Sequence, residues 1–151
     1  MLAMPVLIAD DYQDDVDLFK IALQQVGVLN PVYVVHDGDE VIHYLQGRGA
    51  FADRVCFPLP RVLFLDLKMP QTDGFQVLQW LKENPQFDEM LVVVLSGAGE
   101  AREINQAYQL GADTFIVKPF RREDIESLVK NHRDHWRFDP QTRQGQYQNQ
   151  N

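Results

Sequence analysis

Only one cysteine, Cys56, occurs in the 151 residues. No internal disulfide can form, so a reducing compartment, the cytoplasm, is the expected home. No apolar run approaches the roughly 20 residues of a membrane-spanning helix, and no membrane contact is expected. The apolar stretch 1–9 has no leading positive charge and runs straight into Asp10 and Asp11, unlike a secretory signal. Positive charge is scarce as well: 14 Lys and Arg stand against 22 Asp and Glu, a formal net charge of −8. Non-specific nucleic-acid binding depends on Lys and Arg neutralising phosphates, so no nucleic-acid partner is expected. What is present is an ordinary globular mixture, 45% hydrophobic and 24% charged. The length suits one domain with its own core and leaves no room for an attached output domain.

Short apolar runs rich in β-branched residues fall at 6–9, 32–35, 62–65, 91–95 and 114–117. They are continuously apolar rather than alternating, which predicts strands of a parallel sheet covered on both faces. Helical spacing separates them. Val16, Phe19, Leu23 and Val26 form one stripe, with Gly27 placed as a C-cap. A short helix is predicted over 39–45. Phe75, Leu78 and Leu81 form a third helix, closed by Asn84-Pro85; Ile104, Ala107 and Leu110 form a fourth, with Gly111 beyond. Ile125, Leu128, Val129, His132 and Trp136 trace a last helix that carries on past the core. The alternation predicts an α/β fold, a doubly wound parallel sheet of five strands with helices on both faces and right-handed crossovers. The connection 46–60, rich in Gly, Arg and Pro, is expected to be an exposed loop or short helix. The Gln- and Asn-rich tail 139–151 is expected to be disordered, leaving 1–138 as the domain with a C-terminal helix extension.

In an open α/β sheet, functional groups gather at the C-terminal ends of the strands. The first strand runs into Asp10 and Asp11, the third into Asp66, the fourth into Ser96, and the fifth into Lys118, followed by Pro119. Parallel strands deliver these ends to one rim, where three carboxylates, a hydroxyl and an ammonium should meet. Crowded carboxylates call for a cation, and Mg²⁺ suits an oxygen-only site that leaves room for phosphate. Singly, each residue has a plainer reading: Asp10-Asp11 as a capping turn, Ser96-Gly97 as a loop dipeptide, Lys118-Pro119 as a surface turn. The constellation, not any single residue, points to chemistry.

The residues Asp10-Asp11, Leu63 to Pro70, Asp73-Gly74, Ser96 and Lys118-Pro119-Phe120 resemble the receiver family of response regulators in two-component signalling, over about 5–129. The resemblance implies a flavodoxin-like receiver fold with strand order 2-1-3-4-5. It implies Asp66 as phosphoacceptor for a sensor histidine kinase, Asp11 as a direct Mg²⁺ ligand and Asp10 as one acting mainly through water. The backbone carbonyl of Lys68 would complete the protein ligands. Ser96 and Lys118 would bind the phosphoryl group, Phe115 would be the switch aromatic, and the Lys118–Pro119 bond would be cis. Asp14-Asp15, the segment Tyr44-Leu45-Gln46-Gly47-Arg48-Gly49 and the extension with Trp136 resemble small stand-alone regulators paired with phytochrome-type kinases. Such a protein promotes only its own phosphorylation and dephosphorylation, and signals to a downstream protein or phosphorelay partner. Trp136, on an apolar stripe beyond the core, would be exposed in a monomer, so a homodimer through the last helix is expected.

Two rival readings fit the residues less well. A haloacid-dehalogenase-like Mg²⁺-dependent phosphatase also uses an Asp nucleophile, a hydroxyl and a lysine, but its general acid lies two residues after the nucleophile, where this chain has Lys68. A dinucleotide-binding loop fails because Gly97-Ala98-Gly99 is followed by Arg102 at the third glycine position.

Overall fold

The computed structural model describes residues 4–97 and 100–138. The elements in chain order are β1 (Val6–Ala9), α1 (Gln13–Val26), β2 (Val32–Val35), α2 (Gly38–Gln46), β3 (Val62–Asp66), α3 (Gly74–Lys82), β4 (Leu91–Gly97), α4 (Ala101–Gln109), β5 (Thr114–Lys118) and α5 (Arg122–Asn131). The sheet is fully parallel in the order β2-β1-β3-β4-β5.

Successive strand residues point to opposite faces, and the two hydrophobic layers record this directly. Val6, Ile8, Val62, Phe64, Leu91, Val93 and Leu95 pack with α1 and α5. Leu7, Ala9, Leu63, Leu65, Val92 and Val94 pack with α2, α3 and α4. A strand buried on both sides has no polar face to show, which is why the runs do not alternate. On α1, the predicted stripe is buried, and Gly27 at φ 88° lets its N–H and that of Val28 turn back onto the last-turn carbonyls.

The connection 46–60 has more structure than a loop. A 3₁₀ turn forms at Gly49–Phe51, and the Arg54 guanidinium closes the end of α2. Its Nη1 donates to the Tyr44 carbonyl at 2.7 Å and its Nη2 to the Leu45 carbonyl at 2.6 Å. The Tyr44 carbonyl also accepts from the Gly47 N–H at 3.1 Å; the arginine adds a second donor there and supplies one to the Leu45 carbonyl, which lies beyond the helix's own N–H groups.

The last helix departs from its predicted course. It ends at Asn131, a 3₁₀ turn follows at Arg133–His135, and the chain folds back on its own domain. Trp136 is 5% exposed, its ring 6.2 Å from that of Phe64. Asn30 holds this segment: its amide donates to the carbonyls of Met4 at 2.6 Å and His135 at 3.0 Å, and its oxygen accepts from the Arg137 N–H at 2.7 Å. The Leu29 N–H donates to the Arg137 carbonyl, and Val28 bridges Phe138. Hydrophobic spacing continued through Trp136, but the indole found an apolar layer within its own domain. The tail 139–151 lies outside the described residues.

Candidate functional site

Strand register assembles the site. Ala9 pairs with Leu65 and Asp66 with Leu95, so the residues just past these pairs, Asp10 and Ser96, flank Asp66 on neighbouring strands. Gly97 pairs with Lys118, which aligns the end of β5 with the same rim. One ligand oxygen each from Asp10, Asp11 and Asp66 can be chosen so that all lie within 4.8 Å of one another. Asp10 and Asp66 are buried, while Asp11 is exposed. All donors in this cluster are carboxylate oxygens, which fits a hard divalent cation such as Mg²⁺ or Mn²⁺ rather than a softer metal.

The ammonium of Lys118 crosses the rim and donates to three carboxylates: Asp10 at 2.7 Å, Asp15 at 2.9 Å and Asp66 at 3.0 Å. Burial alone would lower the lysine, but its hydrogen bonds to Asp10 and Asp15 and the pull of Asp66 outweigh that and hold it above its ordinary range. One cation shared among three anions offsets only part of the burial of Asp66. Its carboxyl is pushed up to about 6 by desolvation, against the Lys68 N–H and Lys118, which pull it down. The Lys68 N–H donates to Asp66 Oδ1 at 3.0 Å, and the Tyr12 N–H to Asp10 Oδ1 at the same distance.

Asp15 is the site residue that the sequence did not place. It reads as half of a helix-opening acidic pair, yet from the first turn of α1 it reaches the lysine at the far end of the chain. One turn further along α1, the Phe19 ring lies 4.5 Å from Phe64 of β3 and 4.0 Å from Phe120, just past β5.

Ser96 is buried, and its hydroxyl lies 3.4 Å from both the Gly97 carbonyl and Glu100 Oε2. The Lys68 ammonium pairs with Glu100, with Glu103 4.0 Å away. Glu103, and then Lys68, hold the Glu100 carboxyl below its ordinary range, while Glu100 in turn pushes Glu103 up. Phe115 is 38% exposed and meets Tyr108 of α4 edge-on at 5.9 Å. The Lys118–Pro119 bond is cis.

The response regulator receiver domain model matches residues 6–130. Response regulator Rre1 of Synechocystis is 41% identical over 73 residues, covering 48% of this chain and only 32% of that protein. Response regulator Rcp1 of Synechocystis is 25% identical over 131 residues, 87% of each chain. Its Mn²⁺-bound form superposes with a TM-score of 0.71, over 85% of this chain and 91% of that one. A response regulator in red light signalling of R. palustris is 30% identical, over 85% of this chain and 91% of that one, with a TM-score of 0.76.

Proposed function

The chain belongs to the response regulator receiver domain family, and from that premise we propose that it is a phosphorylation-driven signalling switch whose acceptor is Asp66. The observation that carries this reading is the Lys118 ammonium bonded at once to Asp10 and Asp66, with Asp11 beside them. That arrangement joins the ends of β1, β3 and β5 into one charged rim. The phosphatase alternative has no support from any relative, and Lys68 cannot serve as its acid.

Asp10, Asp11 and Asp66, with the Lys68 backbone carbonyl, would hold Mg²⁺, which when bound offsets negative charge on phosphoryl oxygens. An Asp66 oxygen attacks the phosphorus of a phosphohistidine on a sensor kinase. The new P–O bond forms as the N–P bond breaks, and its electron pair stays on the imidazole. Lys118 stabilises charge at the phosphoryl oxygens as a point cation. Ser96 swings to donate to the new group, vacating space for Phe115 to turn inward, which reshapes the surface of α4, β5 and α5. The protein thus promotes its own modification and acts on no separate substrate.

Relatives described as working in red light signalling favour a phytochrome-type kinase as donor. The readout is a downstream protein or the next phosphorelay member. No helix among the described residues is long and apolar enough to cross a membrane, and the single free cysteine suits the cytoplasm. A homodimer no longer has Trp136 as its motive, because that ring is covered; the exposed Phe115 and Tyr108, packed edge-on, offer one aromatic patch for it.

The test is intact-mass analysis after incubation with Mg²⁺ and acetyl phosphate. Wild type should gain one phosphoryl group and Asp66→Asn none. Equal labelling of both proteins removes Asp66 from its role.

A further inference from the structure

Glu100, which precedes α4, already faces two donors that a phosphoryl on Asp66 could use, the Ser96 hydroxyl and the Lys68 ammonium. Its carboxylate takes the Lys68 ammonium on Oε1 and faces the Ser96 hydroxyl from Oε2 at 3.4 Å. Both partners lie next to the acceptor. The Lys68 ammonium is near enough to feel the charge of the Asp66 carboxylate, and Ser96 follows the residue paired with Asp66 across the sheet. A cation near Asp66 is therefore paired with Glu100 before any modification, and the Ser96 hydroxyl is shared between Glu100 and the Gly97 carbonyl. A phosphoryl group presents the same chemistry, strongly anionic acceptor oxygens, so the two anions compete for one set of donors.

We propose that Glu100 is a built-in competitor of the phosphoryl group, occupying Ser96 and Lys68 in the unmodified protein and yielding them when Asp66 is modified. Glu100 acts through these two side chains, so it is a positioning residue for the reaction. Its displacement also passes the signal on. Glu100 sits at the entry to α4, and α4 buries only Ala107, whereas α1 buries five residues. A helix so lightly anchored is the least costly element to shift once its first turn is freed. The proposal rests on Asp66 being the acceptor.

The experiment titrates beryllofluoride, a phosphoryl mimic, into the full chain with saturating Mg²⁺. The proteins compared are wild type, Glu100→Gln, Glu100→Ala and, as a charge control, Glu126→Gln on α5. Both Glu100 variants should bind about 1.5- to 5-fold tighter than wild type, the range expected for removing a partly exposed competing charge. Amide hydrogen exchange in 101–109 should already be faster in these variants before the mimic is added. Glu126→Gln should match wild type. A merely structural role for Glu100 would weaken binding rather than tighten it, so Glu100 variants that bind equally or less well overturn the proposal. Acetyl phosphate labelling of wild type on Asp66, run in parallel, separates the two ideas. Without labelling the acceptor reading fails; with labelling and unchanged Glu100 variants, only the competitor fails.

Discussion

As the proposed acceptor, Asp66 must be a carboxylate to attack phosphorus, yet it is buried beside Asp10 and shares the Lys118 ammonium with Asp10 and Asp15. Its carboxyl, pushed up to about 6, gives stability and reactivity opposite dependences on pH. The folded protein binds this proton more tightly than the unfolded chain, where a carboxyl titrates near its ordinary value of about 3.9. The stabilisation from Asp66 is therefore complete below about pH 4 and is lost as pH rises through about 6. In the metal-free protein, Asp66→Asn should be more stable than wild type at pH 7, and the gap should shrink by about 1 kcal/mol at pH 5. Urea unfolding at the two pH values measures this; a gap independent of pH would mean that Asp66 titrates normally. Labelling by acetyl phosphate should also fall in acid, since the protonated acid is a poor nucleophile, but at a lower pH than about 6, because the Mg²⁺ in that assay favours the carboxylate. Of the residues around Asp66, the acid pair, Ser96 and Lys118 were legible because each ends an apolar run. Asp15 and Glu100 were not, because they follow no strand and reach the rim only through their side chains.

The loop from Leu67 to Asp73 carries the Lys68 carbonyl, and another element steadies it. The Gly38 N–H, in the first turn of α2, donates to the Thr72 carbonyl at 2.9 Å, and Thr72 Oγ1 bonds the Asp39 carboxylate. The approach is so close that a Cβ on Gly38 would lie 2.1 Å from that carbonyl oxygen. Gly38→Ala must push the loop and the helix apart, at a cost of about 1–3 kcal/mol, and it should weaken Mg²⁺ binding because the loop bears a proposed ligand. Thermal melting and calorimetric Mg²⁺ titration would show both effects; a melting change with unaltered Mg²⁺ affinity would separate the loop from the site. The strands were legible as elements, since a strand covered on both faces has no alternative to a continuous apolar run. The start of α2 was read a residue late, at 39 rather than Gly38, because glycine carries no side-chain signal and its requirement comes from Thr72, 34 positions away in sequence.

At the scale of the whole molecule, the segment after α5 closes the α1 and α5 face of the sheet rather than extending from it. Trp136 lies in the same apolar layer as Phe64 and Val28, and Asn30 ties three backbone groups around it. Trp136→Ala should destabilise the fold by about 3–5 kcal/mol, the range for emptying a large aromatic site, and should leave the sedimentation coefficient of the folded protein unchanged. Urea unfolding and analytical ultracentrifugation check the two halves. A variant of unchanged stability that dissociates a dimer would restore the tryptophan to an interface.

The order of apolar runs and turns in the sequence determined the fold class, because a buried parallel strand and an amphipathic helix each impose a period that few other structures share. It also determined the core of the site, since the carboxylates, hydroxyl and ammonium all stand at strand ends, and parallel strands can end only at one rim. Tertiary structure decided the rest. It chose Asp15 rather than Asp14 to meet Lys118, turned the Lys68 side chain to Glu100, and folded Trp136 inward. These depend on distances between segments far apart in the chain. A charged or aromatic side chain on a helix surface can take solvent or a partner, and only the packing of the neighbouring elements settles which.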